Sequence, residues 1–204
     1  MTKPDNMQVS SEPKIYKVSN AEDAAILHTK CTQVVPEDNI KEAKKQMLAI
    51  YGKRQDTCLG IAAPQVGVTK CFFLGKFGLN SKSVFPRKEL NKLKYKNCVF
   101  MINPVILETS DKLNVHTEGC LSIDDEVYLV PRPTRVVVSY QNTDFKDVTA
   151  VLWGWDAYVF MHEYDHLIGL TLEKLTDASK IKVEKKTEDN KIDLPSPQEN
   201  NDRN

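Results

Sequence analysis

At 204 residues the chain has the size of one ordinary globular domain and is too short for several. Its 28 basic and 28 acidic side chains cancel, so no overall field draws it to nucleic acid or to an anionic membrane, and a ligand has to be recognised locally. A 41% hydrophobic content is enough for a core, yet no apolar run approaches the roughly 18 residues that a membrane-spanning helix needs.

The polar start, MTKPDNMQVSSEP, has no apolar stretch of the secretory type, which makes the cytoplasm the expected compartment, with a processed organellar form or a viral source as alternatives. Residues 1–20 are expected to be a disordered tail, 21–182 the catalytic domain and 183–204 a second polar tail, too poor in apolar side chains to offset the entropy of ordering. Within the domain, NIKEAKKQMLAIY at 39–51 places Ile40, Ala43, Met47, Leu48 and Tyr51 on one helical face with lysines opposite. Strands are predicted at 71–74, 99–102, 105–108 and 135–140, the last carrying the β-branched run VVVSY. The lysine-rich segment 76–97, with Gly78, Asn80, Ser81 and Pro86, reads as a surface insertion outside the core. Its scattered aromatics give no pattern for binding nucleic acid. From 153 to 175 the pattern turns helical again, with Gly169 as a stop signal. Helix, strands and late helix in that order predict an α+β domain with antiparallel sheet.

The late helix carries His162-Glu163-Tyr164-Asp165-His166. Histidines four apart lie one turn apart on a helix face, so both imidazoles can reach one metal ion, with Glu163 placed to handle a water there. A site of this kind needs a third protein ligand, and neither His28 nor His116 has a partner at ligand spacing. A cysteine can serve instead. Cys120 stands in TEGCLS, beside a glycine that lets the backbone approach a ligand, whereas Cys31, Cys71 and Cys98 read as small buried hydrophobes. Five cysteines, an odd number at irregular spacing, argue for reduced thiols and not for a disulfide framework. A third string, CLGIAAPQVG at 58–67, combines small residues with Gln65 where Pro64 interrupts a helix.

In this order and at these separations, the three strings resemble peptide deformylase. The resemblance spans about Asp23 to Leu175 and implies antiparallel sheets around a central metal-binding HExxH helix, with an N-terminal helix packed on the sheet. It implies that Cys120, His162 and His166 hold one divalent metal per chain, Fe(II) natively, with nickel, cobalt or zinc able to substitute. The implied reaction is hydrolysis of the N-formyl group on the initiator methionine of nascent polypeptides, met near the ribosome, with release of formate. Glu163 is then base and later acid, and the Gln65 amide and Leu121 N–H are the donors to the formyl oxygen. Leu59, Gly60 and Gly119 match the positions that pair with the peptide backbone. Helical periodicity brings Trp155 and Val159 towards the metal side as pocket residues, and Glu118 with Arg132 forms a candidate ion pair behind Cys120.

The chain departs from the family pattern at Cys58, where glycine is usual, and at Met161, which replaces a glutamine. It departs also at Trp155, in place of a smaller aliphatic, and at AAILH (24–28), a loose echo of Asp-Pro-x-Leu-Arg. Two other readings compete. A zinc endopeptidase would take a third ligand after the helix, where the sequence offers none in a folded context. A catalytically silent homologue would have no use for Glu163.

Overall fold

A computed structural model of the chain describes residues 13–175 and a two-residue strand at 183–184. Among the described residues four α-helices, α1 (Ala21–Leu27), α2 (Lys41–Lys53), α3 (Arg87–Leu90) and α4 (Trp155–Leu167), accompany eight strands. The strands are β1 (Gly60–Ala62), β2 (Phe72–Lys76), β3 (Cys98–Thr109), β4 (Leu113–Gly119), β5 (Glu126–Pro133), β6 (Arg135–Gln141), β7 (Asp147–Trp153) and β8 (Val183–Glu184). A five-stranded sheet runs β1-β2-β3-β6-β7 and a three-stranded sheet β4-β5-β8, with antiparallel pairing throughout.

The alternation of β-strand side chains divides the core in two. Phe72 and Leu74 of β2, with Phe100 and Ile102 of β3, pack against Met47, Ile50 and Tyr51 of α2. Phe73, Val99 and Met101 face the other way and join Val136, Val138 and Tyr140 of β6 and Phe160 of α4. Helix α4 lies against β1, β2 and β7 of the large sheet and β5 of the small one, so it is held where the two sheets meet.

Strand β3 is continuous where two strands are predicted, 99–102 and 105–108. The break in the pattern is a bulge, with register shifts between Ile102 and Val105 and between Ile106 and Glu108. Asn103, at φ 49°, pins it through both side-chain atoms to Val34, at 2.8 Å each. The late helix is shorter than predicted, ending at Leu167, and Gly169 at φ 78° completes the stop.

Three expectations are corrected. The segment 76–97 is not merely a surface insertion, because Phe77 and Phe85 are buried and stacked at 5.4 Å. Glu89 is also buried, accepting a hydrogen bond from Asn142 at 3.2 Å. Wide spacing hid these anchors among the lysines. The N-terminal tail does not reach Asn20: residues 16–18 hydrogen-bond to Gln65 and Ser122, because Asp23 and the Asn20 cap of α1 fix the chain there. Of the C-terminal tail, Val183 and Glu184 pair with Val127 and Glu126 of β5. Residues 1–12, 176–182 and 185–204 lie outside the described residues.

Candidate metal centre

Cys120 follows the last residue of β4, and His162 and His166 stand one turn apart on α4. The strand and the helix are joined by 35 intervening residues, yet the fold brings the three side chains together, their ligand atoms all within 4.8 Å of one another. Cys120 Sγ is 3.3 Å from His166 Nε2. The two imidazole rings stand edge to face with centroids 5.3 Å apart.

Burial opposes a thiolate at Cys120, but His166 and His162 beside it hold the thiol down to about 5. At His162 burial opposes the charge in turn, and hydrogen bonds to Cys120 and Glu118 raise the imidazole well above its ordinary value. Glu118 Oε2 lies 2.8 Å from His162 Nδ1, which commits that nitrogen and leaves Nε2 for the cluster.

Glu118 and Arg132 form a bidentate pair: Arg132 Nε and Nη2 donate at 2.8 and 2.9 Å, and both side chains are buried. Arg132 Nη1 also donates to Asp165 at 2.5 Å. Burial alone would raise the Glu118 carboxyl, but Arg132, His116 and His162 hold it well below the usual carboxylate range.

On the other side of the cluster, Pro64 and Gly67, the latter at φ 82°, frame a 3-10 turn over Ala63–Val66 that presents Gln65. Gln65 Oε1 accepts from the Ala62 N–H at 2.8 Å, which turns Nε2 towards Ser122 Oγ at 3.1 Å and Cys120 Sγ at 3.4 Å. Glu163 is 3% exposed, and burial pushes its carboxyl up to about 7 against the opposing pull of His162 and His166. Its Oε2 and the Nδ1 of His166 are buried without a hydrogen-bond partner among the described residues.

Gly60 is the backbone against which Glu163 rests: a Cβ built there would come within 2.5 Å of Glu163 Cδ. Cys58 is buried next to this strand with its Sγ 3.2 Å from the Gly60 carbonyl, and burial pushes its thiol up to about 12. Leu59 is half-buried and its carbonyl accepts from the Lys76 N–H at 2.8 Å. Gly119 is exposed at the end of β4, paired with Val127.

The sequence-predicted residues therefore divide into two groups. Gln65, Cys120, His162 and His166, with Glu118 and Arg132 behind them, are linked by direct contacts, and Glu163 sits against Gly60. Val159 is buried in the larger core, and Trp155 joins His116 and Tyr158 in an aromatic group with centroids 5.4 and 5.9 Å away. His116 stacks on Tyr158 at 4.1 Å, and Asn114 Nδ2 donates to the Tyr158 hydroxyl at 3.1 Å. Sequence reasoning assigned no role to Ser122, Asp165 or His116. Each lies within two residues of a predicted ligand or of its buried partner, which is the signal that was available.

The polypeptide deformylase family model matches residues 14–181. A peptide deformylase of Thermotoga petrophila is 33% identical over 154 residues, 75% of this chain and 82% of that one. Peptide deformylase 1A, chloroplastic/mitochondrial, of Arabidopsis thaliana is 31% identical over 150 residues, 71% of this chain and 55% of that one. Among solved structures, peptide deformylase from Thermotoga maritima is similar with a TM-score of 0.64 at 30% identity, covering 80% of this chain and 97% of that one. The Met-Ala-Ser-bound class I type b peptide deformylase from Acinetobacter baumannii gives 0.65 at 29% identity, covering 81% and 100%.

Proposed function

This chain belongs to the polypeptide deformylase family, hydrolases that remove the N-formyl group from nascent peptides, and we propose that Cys120, His162 and His166 hold the single divalent ion its reaction needs. The observation that carries this reading is the cluster itself: three ligand atoms within 4.8 Å, with the buried, unpartnered Glu163 Oε2 on the same helix. One thiolate with two imidazoles leaves a coordination position open and suits iron, nickel, cobalt or zinc, with Fe(II) assigned as the native ion on the family resemblance.

When bound, the ion supplies Lewis acidity, lowering the pKa of a water and polarising the formyl oxygen. Glu163 takes the proton of the attacking water and later delivers it to the leaving amine, and a carboxyl raised towards neutrality suits both transfers. As charge collects on the formyl oxygen, the Gln65 Nε2 amide and the Leu121 N–H donate to it. Glu118 fixes His162 by taking up its Nδ1, and Arg132 keeps Glu118 ionised. Leu59, Gly60 and Gly119 pair with the peptide backbone, which lets many sequences be accepted. Trp155 and Val159 border the side-chain subsite for the initiator methionine. A Met-Ala-Ser peptide in a similar structure supports that substrate class.

The products are formate and a free N-terminus, and the substrate is met as a nascent chain near the ribosome, in the cytoplasm. Among the described residues no helix is long and apolar enough to cross a membrane. The test is to load the protein anaerobically with iron or nickel and measure formate release from a formyl-Met tripeptide, with Glu163→Ala alongside. Metal uptake without formate release by the unaltered protein overturns the reading.

A further inference from the structure

Gln65 and Leu121 come from turns more than fifty residues apart, and the N-terminal segment bonds to both. The Tyr16 N–H donates to the Gln65 carbonyl at 2.9 Å, and the Tyr16 ring covers Gly67, where a Cβ would come within 2.6 Å of Cζ. Two residues on, the Val18 N–H donates to the Ser122 carbonyl at 3.0 Å. Between them Lys17 Nζ donates to the Leu121 carbonyl at 2.8 Å and to Asp124 Oδ1 at 2.5 Å. The segment has its own anchor. Asp23 of α1 is 5% exposed and accepts from Lys14 Nζ at 2.8 Å and from the Lys17 N–H at 3.0 Å.

We propose that Lys17 is a positioning residue for deformylation. Held by Asp23, it fixes the Leu121 carbonyl, and so the Leu121–Ser122 peptide plane, which adjoins at the Leu121 Cα the plane that carries the Leu121 N–H, while the same segment holds the Gln65 turn. The two donors to the formyl oxygen thus keep one spacing. Lys17 touches neither substrate nor ion. Its ammonium acts through the peptide at Leu121, in a turn otherwise closed by the Ile123 N–H to Cys120 carbonyl bond of 3.1 Å. This inference rests on the reading of Gln65 and Leu121 as oxyanion donors.

The test uses the full chain loaded with nickel and a formyl-Met-Ala-Ser substrate. Lys17→Met keeps the length of the side chain and removes both of its bonds. Because a donor displaced by a fraction of an ångström loses part of the 100- to 1,000-fold a whole donor supplies, kcat should fall about 10-fold with KM within about twofold. Lys17→Arg, which can still reach the carbonyl, should recover to within about threefold, and bound nickel should stay unchanged. In a Gln65→Ala background, where the pair is already broken, Lys17→Met should cost less than about threefold, since groups that act as a unit are not additive. Unchanged kcat in Lys17→Met, or the same loss in both backgrounds, overturns the proposal. Full turnover in Gln65→Ala alone would instead overturn the oxyanion reading beneath it. Should Lys17→Met fail to fold, Asp124→Ala removes only the outer partner, and kcat must still fall with KM held, or the proposal is wrong.

Discussion

Gly60→Ala separates a catalytic constraint from a packing one. An added Cβ would lie 2.5 Å from Glu163 Cδ and 2.6 Å from Cγ, where ordinary contact begins at 3.4 Å. The Glu163 side chain must therefore withdraw by about 1 Å, since carbon atoms settle about 3.5–4.0 Å apart. The backbone there pairs with Gly75 and need not break, and the colliding group is the end of a side chain, so the cost in stability should stay near the low end of the usual overpacking range, about 1 kcal/mol. The cost in rate should be much larger: a displacement of about 1 Å at a reacting group is worth about 100-fold. It should approach, without exceeding, the loss in Glu163→Ala, for which a general base is worth about 100- to 10,000-fold. Urea unfolding and formate release, measured on the same metal-loaded preparation, give both numbers. Turnover within about threefold of the unaltered protein would show that Glu163 is not used in the position the structure gives it.

Other perturbations follow from the same contacts. Arg132→Met leaves Glu118 buried without its bidentate partner and should cost about 3–5 kcal/mol by denaturant unfolding, against under about 1 kcal/mol for a surface pair. Since the folded Glu118 carboxyl is held below its ordinary 4.5, its contribution is complete above that value and is lost as pH falls below it. Glu118→Gln should therefore lose less stability than the unaltered chain between pH 7 and about pH 3.5, and equal losses would refute the assignment. Cys58, with its buried thiol pushed up to about 12, should resist iodoacetamide at about pH 8, and its alkylation ahead of Cys120 in metal-free protein, read by peptide mass mapping, would contradict the geometry. Stripping the metal should lower the unfolding free energy by an amount set by mass action, about 2.7 kcal/mol at 100 times the dissociation constant, and Cys120→Ala should abolish that difference.

The cluster of Cys120, His162 and His166 was legible in the sequence because helical spacing alone brings His162 and His166 to one face, and because a glycine-flanked cysteine departs from the bland pattern of the others. Strands β2 and β6 were legible through their β-branched and aromatic runs. Strand β4 was not, since the side chains it turns towards α4 are Asn114, His116 and Glu118, polar groups that spoil the alternation, and β5 was not, since it buries Arg132 beside Tyr128 and Val130. The surroundings of Trp155 were not legible for a related reason. Periodicity places a residue on a helix face without saying which strand meets that face, and His116 of β4 meets Trp155 with an aromatic group of its own. The role of residues 16–18 was hidden because their contacts to Gln65 and Ser122 are backbone hydrogen bonds, which carry no residue signature.

A chain with no net charge nevertheless ties α4 down by charge. Asp156, fully buried in the first turn of α4, accepts from the Leu79 N–H at 2.9 Å and so ties the helix start to the segment 76–97. Near the other end, Arg132 joins Asp165 of α4 to Glu118 of β4, and Glu118 in turn engages His162. Carboxylates tie both ends of α4 to other elements, and between those ties Glu163 rests on Gly60 with no side chain between them. Removal of the Asp156 clamp should then be felt at the far end of the helix. Asp156→Asn keeps one acceptor for Leu79 and should retain turnover, whereas Asp156→Ala, which leaves that N–H without its acceptor, should lower kcat while Cys120, His162 and His166 still bind metal. Equal turnover in the two variants would mean that the sheets alone hold the helix in place.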